Sequence, residues 1–136
     1  MISNQDIAVR LILSLMMGAL VGLEREKTRH PAGLRTHMLV SVGSTLITLA
    51  SIMIFPADPA RIAAGIVTGI GFLGAGTIFR DKNNVRGLTT AASIWVVAGV
   101  GMTLGAGLYF LAATSTAAIM LTLFMAKVER KIEKRR

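Results

Sequence analysis

The sequence predicts an all-α membrane protein, a polytopic bundle of five transmembrane helices forming one domain over residues 1–136. Three observations carry that expectation. Residues 88–126 contain no charged side chain. At about 1.5 Å per residue they would form a rod of about 58 Å. That is too long for one crossing of a hydrocarbon core about 30 Å thick and right for two, folded at Gly105-Ala106-Gly107, where the backbone can reverse. The chain is 53% hydrophobic, with a mean hydropathy of +0.64. Finally, 13 of its 15 cations fall in alternate gaps between the apolar runs, the distribution that orients membrane helices.

The spans are placed at about 7–24, 37–55, 61–79, 88–104 and 107–127. Residues 11–23 have the length of a signal-peptide core, but Asp6 precedes them and Gly22-Leu23-Glu24-Arg25-Glu26 follows in place of a small-residue cleavage site, so they read as a retained first helix. Helices two and three are separated by Pro56 and Pro59, and Pro31 lies before helix two; proline ends or precedes helices. Arg25, Lys27, Arg29 and Arg35 surround the first connection, and Arg80, Lys82 and Arg86 the third. Lys127, Arg130, Lys131, Lys134, Arg135 and Arg136 fill a basic tail, 127–136, whereas only Arg10 and Arg61 lie on the other side. The positive-inside rule then puts the N-terminus outside and the tail in the cytoplasm, where it meets anionic lipid. The net charge of +8 is thereby explained by membrane orientation, and no nucleic-acid partner is expected. Cysteine is absent, which excludes disulfides and thiolate metal sites.

An internal echo suggests a parallel repeat of two hairpins plus a fifth helix. Gly18-Ala19 precedes Glu24-Arg25 and then Gly33-Leu34-Arg35-Thr36; Gly74-Ala75 precedes Arg80 and then Gly87-Leu88-Thr89-Thr90.

Two groups of residues are candidates for function. Gly65, Gly69, Gly71, Gly74 and Gly76 crowd helix three. The segment Gly69-Ile70-Gly71-Phe72-Leu73-Gly74 has a dinucleotide-binding spacing, but it lies inside an uncharged span rather than after a strand. Glycines there let neighbouring backbones approach closely, with Gly65 and Gly69 a GxxxG pair. Helix three is therefore expected at the bundle centre, at a dimer seam, or as a pore wall. The second group is the polar cytoplasmic edge: Glu24, Arg25 and Glu26 end helix one, Arg35, Thr36 and His37 open helix two, and Arg86, Thr89 and Thr90 open helix four. Helix N-termini flanked by Arg and Thr suit an anion. Either Glu24 supplies it, clasping Arg35/Thr36 and Arg86/Thr89, or a ligand or partner does. Trp95 is expected inside the bundle. With only His30 and His37, and no acid cluster beside them, no metal site is expected. No nucleophile–base pair marks an enzyme, and no cofactor is called for.

Gly22-Leu23-Glu24-Arg25-Glu26, Ala32-Gly33-Leu34-Arg35-Thr36-His37, the run from Gly69 to Ile78, and Val85-Arg86-Gly87-Leu88-Thr89-Thr90-Ala91-Ala92-Ser93-Ile94-Trp95 together resemble the membrane domain of the MgtC/SapB family. The resemblance extends from about residue 8 to about residue 126. It implies a protein of the bacterial inner membrane, a link to magnesium homeostasis and growth in low magnesium, and an association with virulence in pathogens. It also implies action on partner membrane proteins, the F-type ATP synthase among them. The chain ends soon after helix five, so roles residing in the family's soluble C-terminal domain are not expected to carry over. The competing expectation is an oligomeric ion channel or transporter. Magnesium prefers carboxylates and retained waters, and the spans hold no acid at mid-membrane depth. Small fluoride channels share Gly-Leu-Thr-Thr, but they insert in both orientations, which the charge asymmetry disfavours. A homodimer or other homo-oligomer is expected in either case, surrounded by membrane lipid.

Overall fold

The computed structural model describes residues 2–133 except Asn83, with side chains as far as Ala126. It contains α1 (Asn4–Lys27), α2 (Leu34–Ile54), α3 (Pro59–Ala75), a two-stranded hairpin of β1 (Phe79–Asp81) and β2 (Asn84–Arg86), α4 (Leu88–Gly105) and α5 (Tyr109–Glu133). The basic tail predicted at 127–136 lies outside the residues whose side chains are described.

Local chemistry sets the boundaries. Ser3 caps α1 by accepting from the Asp6 amide at 3.1 Å, and Asp58 caps α3 ahead of Pro59 in its first turn. Both are stop-and-start signals that satisfy orphan amides. α3 ends four residues earlier than predicted. Thr77 turns back, its hydroxyl donating to the Gly74 carbonyl at 2.8 Å, and the chain then pairs as an antiparallel ribbon with Phe79 opposite Arg86 and Arg80 opposite Val85. Aromatic and β-branched residues favour this extended geometry over helix. Gly87 leads into α4 with φ +90°, and a Cβ there would collide with the Thr77 carbonyl.

Four helices are long and apolar enough to cross a bilayer: α1, α2, α4 and the Tyr109–Ala126 part of α5. α3, at 17 residues, is about 26 Å long by its helical rise. α2 and α4 form the centre. α2 packs on α1, α3 and α4, and α4 packs on all four other helices. Val21, Leu49, Ile94, Val97 and Leu104 are buried between them.

The packing of α2 determines this arrangement. Its inward face carries His37, Ser41, Ser44, Thr45, Thr48 and Ser51, all buried. Helices close on that stripe from both sides through GxxxG pairs, Gly18/Gly22 on α1 and Gly101/Gly105 on α4. A Cβ on Gly18 would stand 2.7 Å from the His37 carbonyl, and one on Gly22 2.7 Å from the Leu34 Cα; one on Gly105 would stand 2.5 Å from the Thr48 Cβ, and one on Gly101 would collide with the Ser41 carbonyl. Backbones this close gain van der Waals contact in lipid, where hydrophobic burial gives nothing.

The bundle centre is therefore not α3, contrary to the sequence expectation. Gly65, Gly69 and Gly71 are exposed, with nothing within 4 Å of where a Cβ would stand, and Gly76 is exposed as well; only Gly74 is buried, against Ala91. The physical reason lies in the partner surfaces. α2 turns its polar stripe to the glycines of α1 and α4, because hydroxyls in hydrocarbon need close partners, which leaves α3 on the periphery. Trp95, expected inside, is 54% exposed. The internal echo does have a geometric counterpart. Gly33 and Gly87 both cap the following helix. Gly18 packs at His37 and Met38, and Gly74 at Ala91, which is the matching position four residues after the capping glycine.

Substituting Ala at Gly101 or Gly105 should lower stability by roughly 1–3 kcal/mol through overpacking. The same change at Gly69 should leave the monomer fold intact or stabilise it by up to about 1 kcal/mol through helix propensity. Thermal unfolding of the purified protein in detergent checks the contrast.

Candidate functional site

Polar side chains inside the bundle fall into three tiers. In the middle, the Ser14 and Ser41 hydroxyls are 2.8 Å apart. The Thr45 hydroxyl lies 2.8 Å from both Ser14 Oγ and the Gly101 carbonyl. Three helices are thus joined through one small hydroxyl group of contacts, and the Thr48 hydroxyl donates to the Ser44 carbonyl at 2.8 Å.

At one end, Arg10 of α1 donates to the Gly105 carbonyl at 2.6 Å and to Asp6 Oδ2 at 2.5 Å. Tyr109 donates to the other Asp6 oxygen, and the guanidinium lies 5.9 Å from the centre of the Tyr109 ring. The cation therefore meets the C-terminal carbonyls of α4, where a helix dipole favours it. Gly107, at φ +79°, fits under it, since a Cβ would stand 2.9 Å from Arg10 Nη2. Sequence reasoning assigned Arg10 only an orientation role. Its position one turn after Asp6 was the available signal.

The other end carries the residues singled out from sequence. The structure brings only some of them together, and with different partners. Glu24 does not clasp Arg35 or Arg86. Its Oε2 accepts from Arg25 Nε at 2.6 Å, with Arg25 Nη2 also paired to it. Arg25 is only 2% exposed, so this ion pair with its own neighbour lies inside the bundle. Glu26 makes the contact with α2: its Oε2 accepts from the Leu34 amide at 2.7 Å. α2 is capped by Gly33, which has no side chain to offer, and Glu26 supplies both the missing acceptor and a negative charge at the positive helix end. A Cβ on Gly33 would collide with that carboxylate. Arg35, Arg86 and Thr89 are exposed or half-buried at the rim, as is Thr36. The expectation failed because α1 runs three residues further than predicted, so Arg25 turns inward and Glu26 is the acid that reaches the next helix.

His37 is the residue sequence reasoning undervalued. It is wholly buried, with Nδ1 2.9 Å from the Gly33 carbonyl and Nε2 3.0 Å from Ser93 Oγ. Ser93 Oγ also lies 2.8 Å from the Thr90 carbonyl. Since a carbonyl only accepts, Nδ1 carries a proton, and the single Ser93 hydroxyl proton goes either to Nε2 of the neutral ring or to the Thr90 carbonyl. Two polar atoms at this end, Glu24 Oε1 and Thr90 Oγ1, are buried without a hydrogen-bond partner. Among the described residues, no group of three or more His, Asp or Glu side chains could hold a metal ion. The arrangement ties α1, α2 and α4 together and offers hydrogen-bonding capacity beside a buried ion pair.

Removing one member of that pair strands the other. Arg25→Gln should destabilise the protein by about 3–5 kcal/mol, and Glu24→Gln combined with Arg25→Gln should cost less than the sum of the two single changes. Arg35→Gln should be close to neutral. Chemical or thermal denaturation of the four variants in one detergent provides the comparison.

The family model described as the MgtC family matches residues 11–132. Protein MgtC of Salmonella typhimurium strain LT2 is 46% identical over 112 residues, covering 82% of this chain and 48% of the relative. YhiD of Escherichia coli strain K12, described as a candidate magnesium transporter, is 44% identical over 113 residues, 76% of this chain and 53% of the relative. An uncharacterised Haemophilus influenzae protein is 38% identical over 143 residues, 93% of this chain and 60% of the relative. The chain thus spans about half the length of the first two relatives. No solved structure matches it.

Proposed function

Because the chain belongs to the MgtC family, we propose that it is a non-enzymatic regulator in the bacterial inner membrane, linked to magnesium homeostasis and adaptation to low magnesium, acting through contacts with membrane-protein partners. The observation that supports a regulator over a conduit is the closed interior. The Ser41, Thr45 and Thr48 hydroxyls of α2 are bonded to the Ser14 hydroxyl of α1 and to carbonyls, and glycine-lined helices seal them on two sides. A path for magnesium needs oxygen ligands free to take the ion and release it.

The surfaces left for partners are on the periphery. Gly65 and Gly69 of α3 face, with Gly43 of α2, an apolar groove of about 370 Å³ that ends at Leu39 and Leu73. A second α3 from another copy fits such a glycine-bearing face in lipid, so a homodimer is the form we propose. The family's link to the F-type ATP synthase makes that enzyme the first partner to test. The competing reading, transport, is favoured by the description of YhiD.

Three measurements test this. A chromosomal deletion should impair growth in low magnesium and be rescued by the native chain, whereas vesicles holding the purified protein should show no magnesium flux above empty vesicles; robust protein-dependent flux overturns the regulator reading. Gly69→Leu should reduce the dimer fraction, read by cross-linking in native membranes, with the monomer's unfolding temperature unchanged. Reporter fusions at residue 58 and at the tail should lie on opposite sides of the membrane, as expected for an outside N-terminus and a cytoplasmic C-terminus with α3 crossing.

A further inference from the structure

The connection between α3 and α4 stands outside the packed bundle. All described residues of β1 and β2 are exposed. Phe79 is 62% exposed and Val85 46%, beside Arg80, Lys82 and Arg86. Neither Arg80 nor Arg86 makes an ion pair among the described residues. The one acid of the hairpin, Asp81, has an oxygen accepting from the Lys82 amide at 2.7 Å. Phe79, Arg80, Asp81, Asn84 and Arg86 line a concavity of about 250 Å³. Its excess of cations over acids complements an anion.

Two further features say which anion. α3 is about 26 Å long by its rise, short of a hydrocarbon core of about 30 Å. That shortfall draws Ile78 and Phe79 to headgroup depth, where aromatic side chains are favoured. Gly87 locks the hairpin to the end of α3 at that depth, because it packs against the Thr77 backbone. Below the hairpin α3 and α4 close on each other at Gly74 and Ala91, and Trp95, one turn further along α4, is exposed on the outer surface. A cationic cup with an exposed apolar face below it has the two-part chemistry of a phospholipid.

We propose that the β1–β2 hairpin is a docking surface for an anionic phospholipid of the adjacent leaflet, its headgroup held by Arg80 and Arg86 beside Phe79 and an acyl chain lying along the exposed Trp95 face of α4. An acidic peptide would match the guanidiniums but would leave Phe79 and Trp95 uncovered. The proposal needs only that the chain sits in a membrane; it is independent of whether the protein regulates a partner or moves an ion.

Trp95 is the only tryptophan, so it reports the lipid beside it. The full chain is reconstituted in phosphatidylcholine vesicles with increasing fractions of brominated phosphatidylglycerol or, separately, brominated phosphatidylcholine, and quenching of Trp95 is read. The anionic lipid should quench with a clearly higher relative binding constant, by about fivefold for each guanidinium engaged. Arg80→Gln with Arg86→Gln should bring the two lipids to parity, while Lys27→Gln with Arg29→Gln, on the first connection, should leave the preference intact. On the native chain, raising salt from about 50 to about 500 mM should erode the preference as screening tightens, a result that does not depend on any variant folding. Inorganic phosphate at ionic strength matched to chloride should not displace the lipid. Equal quenching by both lipids in the native chain overturns the proposal, as does a preference that survives loss of both arginines or is indifferent to salt. Selective displacement by inorganic phosphate, or by a soluble acidic peptide, also overturns it by assigning the cup to a soluble anion.

Discussion

Water does not reach the middle of a bilayer, so every hydroxyl and amide placed there has to find its partner within the protein. α2 breaks the apolar rule along its whole length, with six buried polar side chains on one face. The rest of the fold answers that stripe. Hydroxyls can reach carbonyls on neighbouring helices only if the backbones come close, and close approach needs glycine. The GxxxG pairs of α1 and α4 provide it on two sides. Ser14, Ser41, Thr45 and the Gly101 carbonyl then bond across three helices.

Each end of this polar seam is closed by an arginine, largely or wholly buried, beside an acid. Arg10 binds Asp6 and the exposed carbonyl end of α4; Arg25 binds Glu24, while Glu26 caps α2. Both ends keep unused bonding capacity. The Arg10 cluster uses both carboxylate oxygens of Asp6 but leaves Arg10 Nε without a partner. At the Arg25 end Glu24 Oε1 and Thr90 Oγ1 are the unpartnered atoms, next to a histidine with a polar atom beside each ring nitrogen.

Because the polar residues are used up inside, the outer surface carries glycine, apolar side chains and a basic hairpin. The surfaces proposed here for interaction thus lie on α3 and its connection to α4. α3 packs on α2 and α4, and the positions at Gly65, Gly69 and Gly71 stay open, with nothing within 4 Å of where a Cβ would stand.

Composition, the uncharged 88–126 run and the placement of prolines and cations determined by themselves that this is an all-α, five-helix membrane protein, and four motifs in order determined its family. These are one-dimensional properties: burial in lipid depends on the length and polarity of a segment, whichever neighbours it finds. The start of α4 at Leu88 was legible for the same reason, whereas α2 begins at Leu34, three residues before the expected 37. Partner choice was not legible. Sequence density of glycine pointed to Gly65 and Gly69 on α3, whereas Gly18, Gly22, Gly101 and Gly105 make the close contacts, because a GxxxG pair matters only where the facing helix carries groups that need it. Glu24 and Glu26 are two residues apart, and the sequence favoured Glu24, the one nearer the apolar run. Which one reaches α2 was decided by the rotation of the last turn of α1, which sends Arg25 into the core, and only the packed structure fixes that angle.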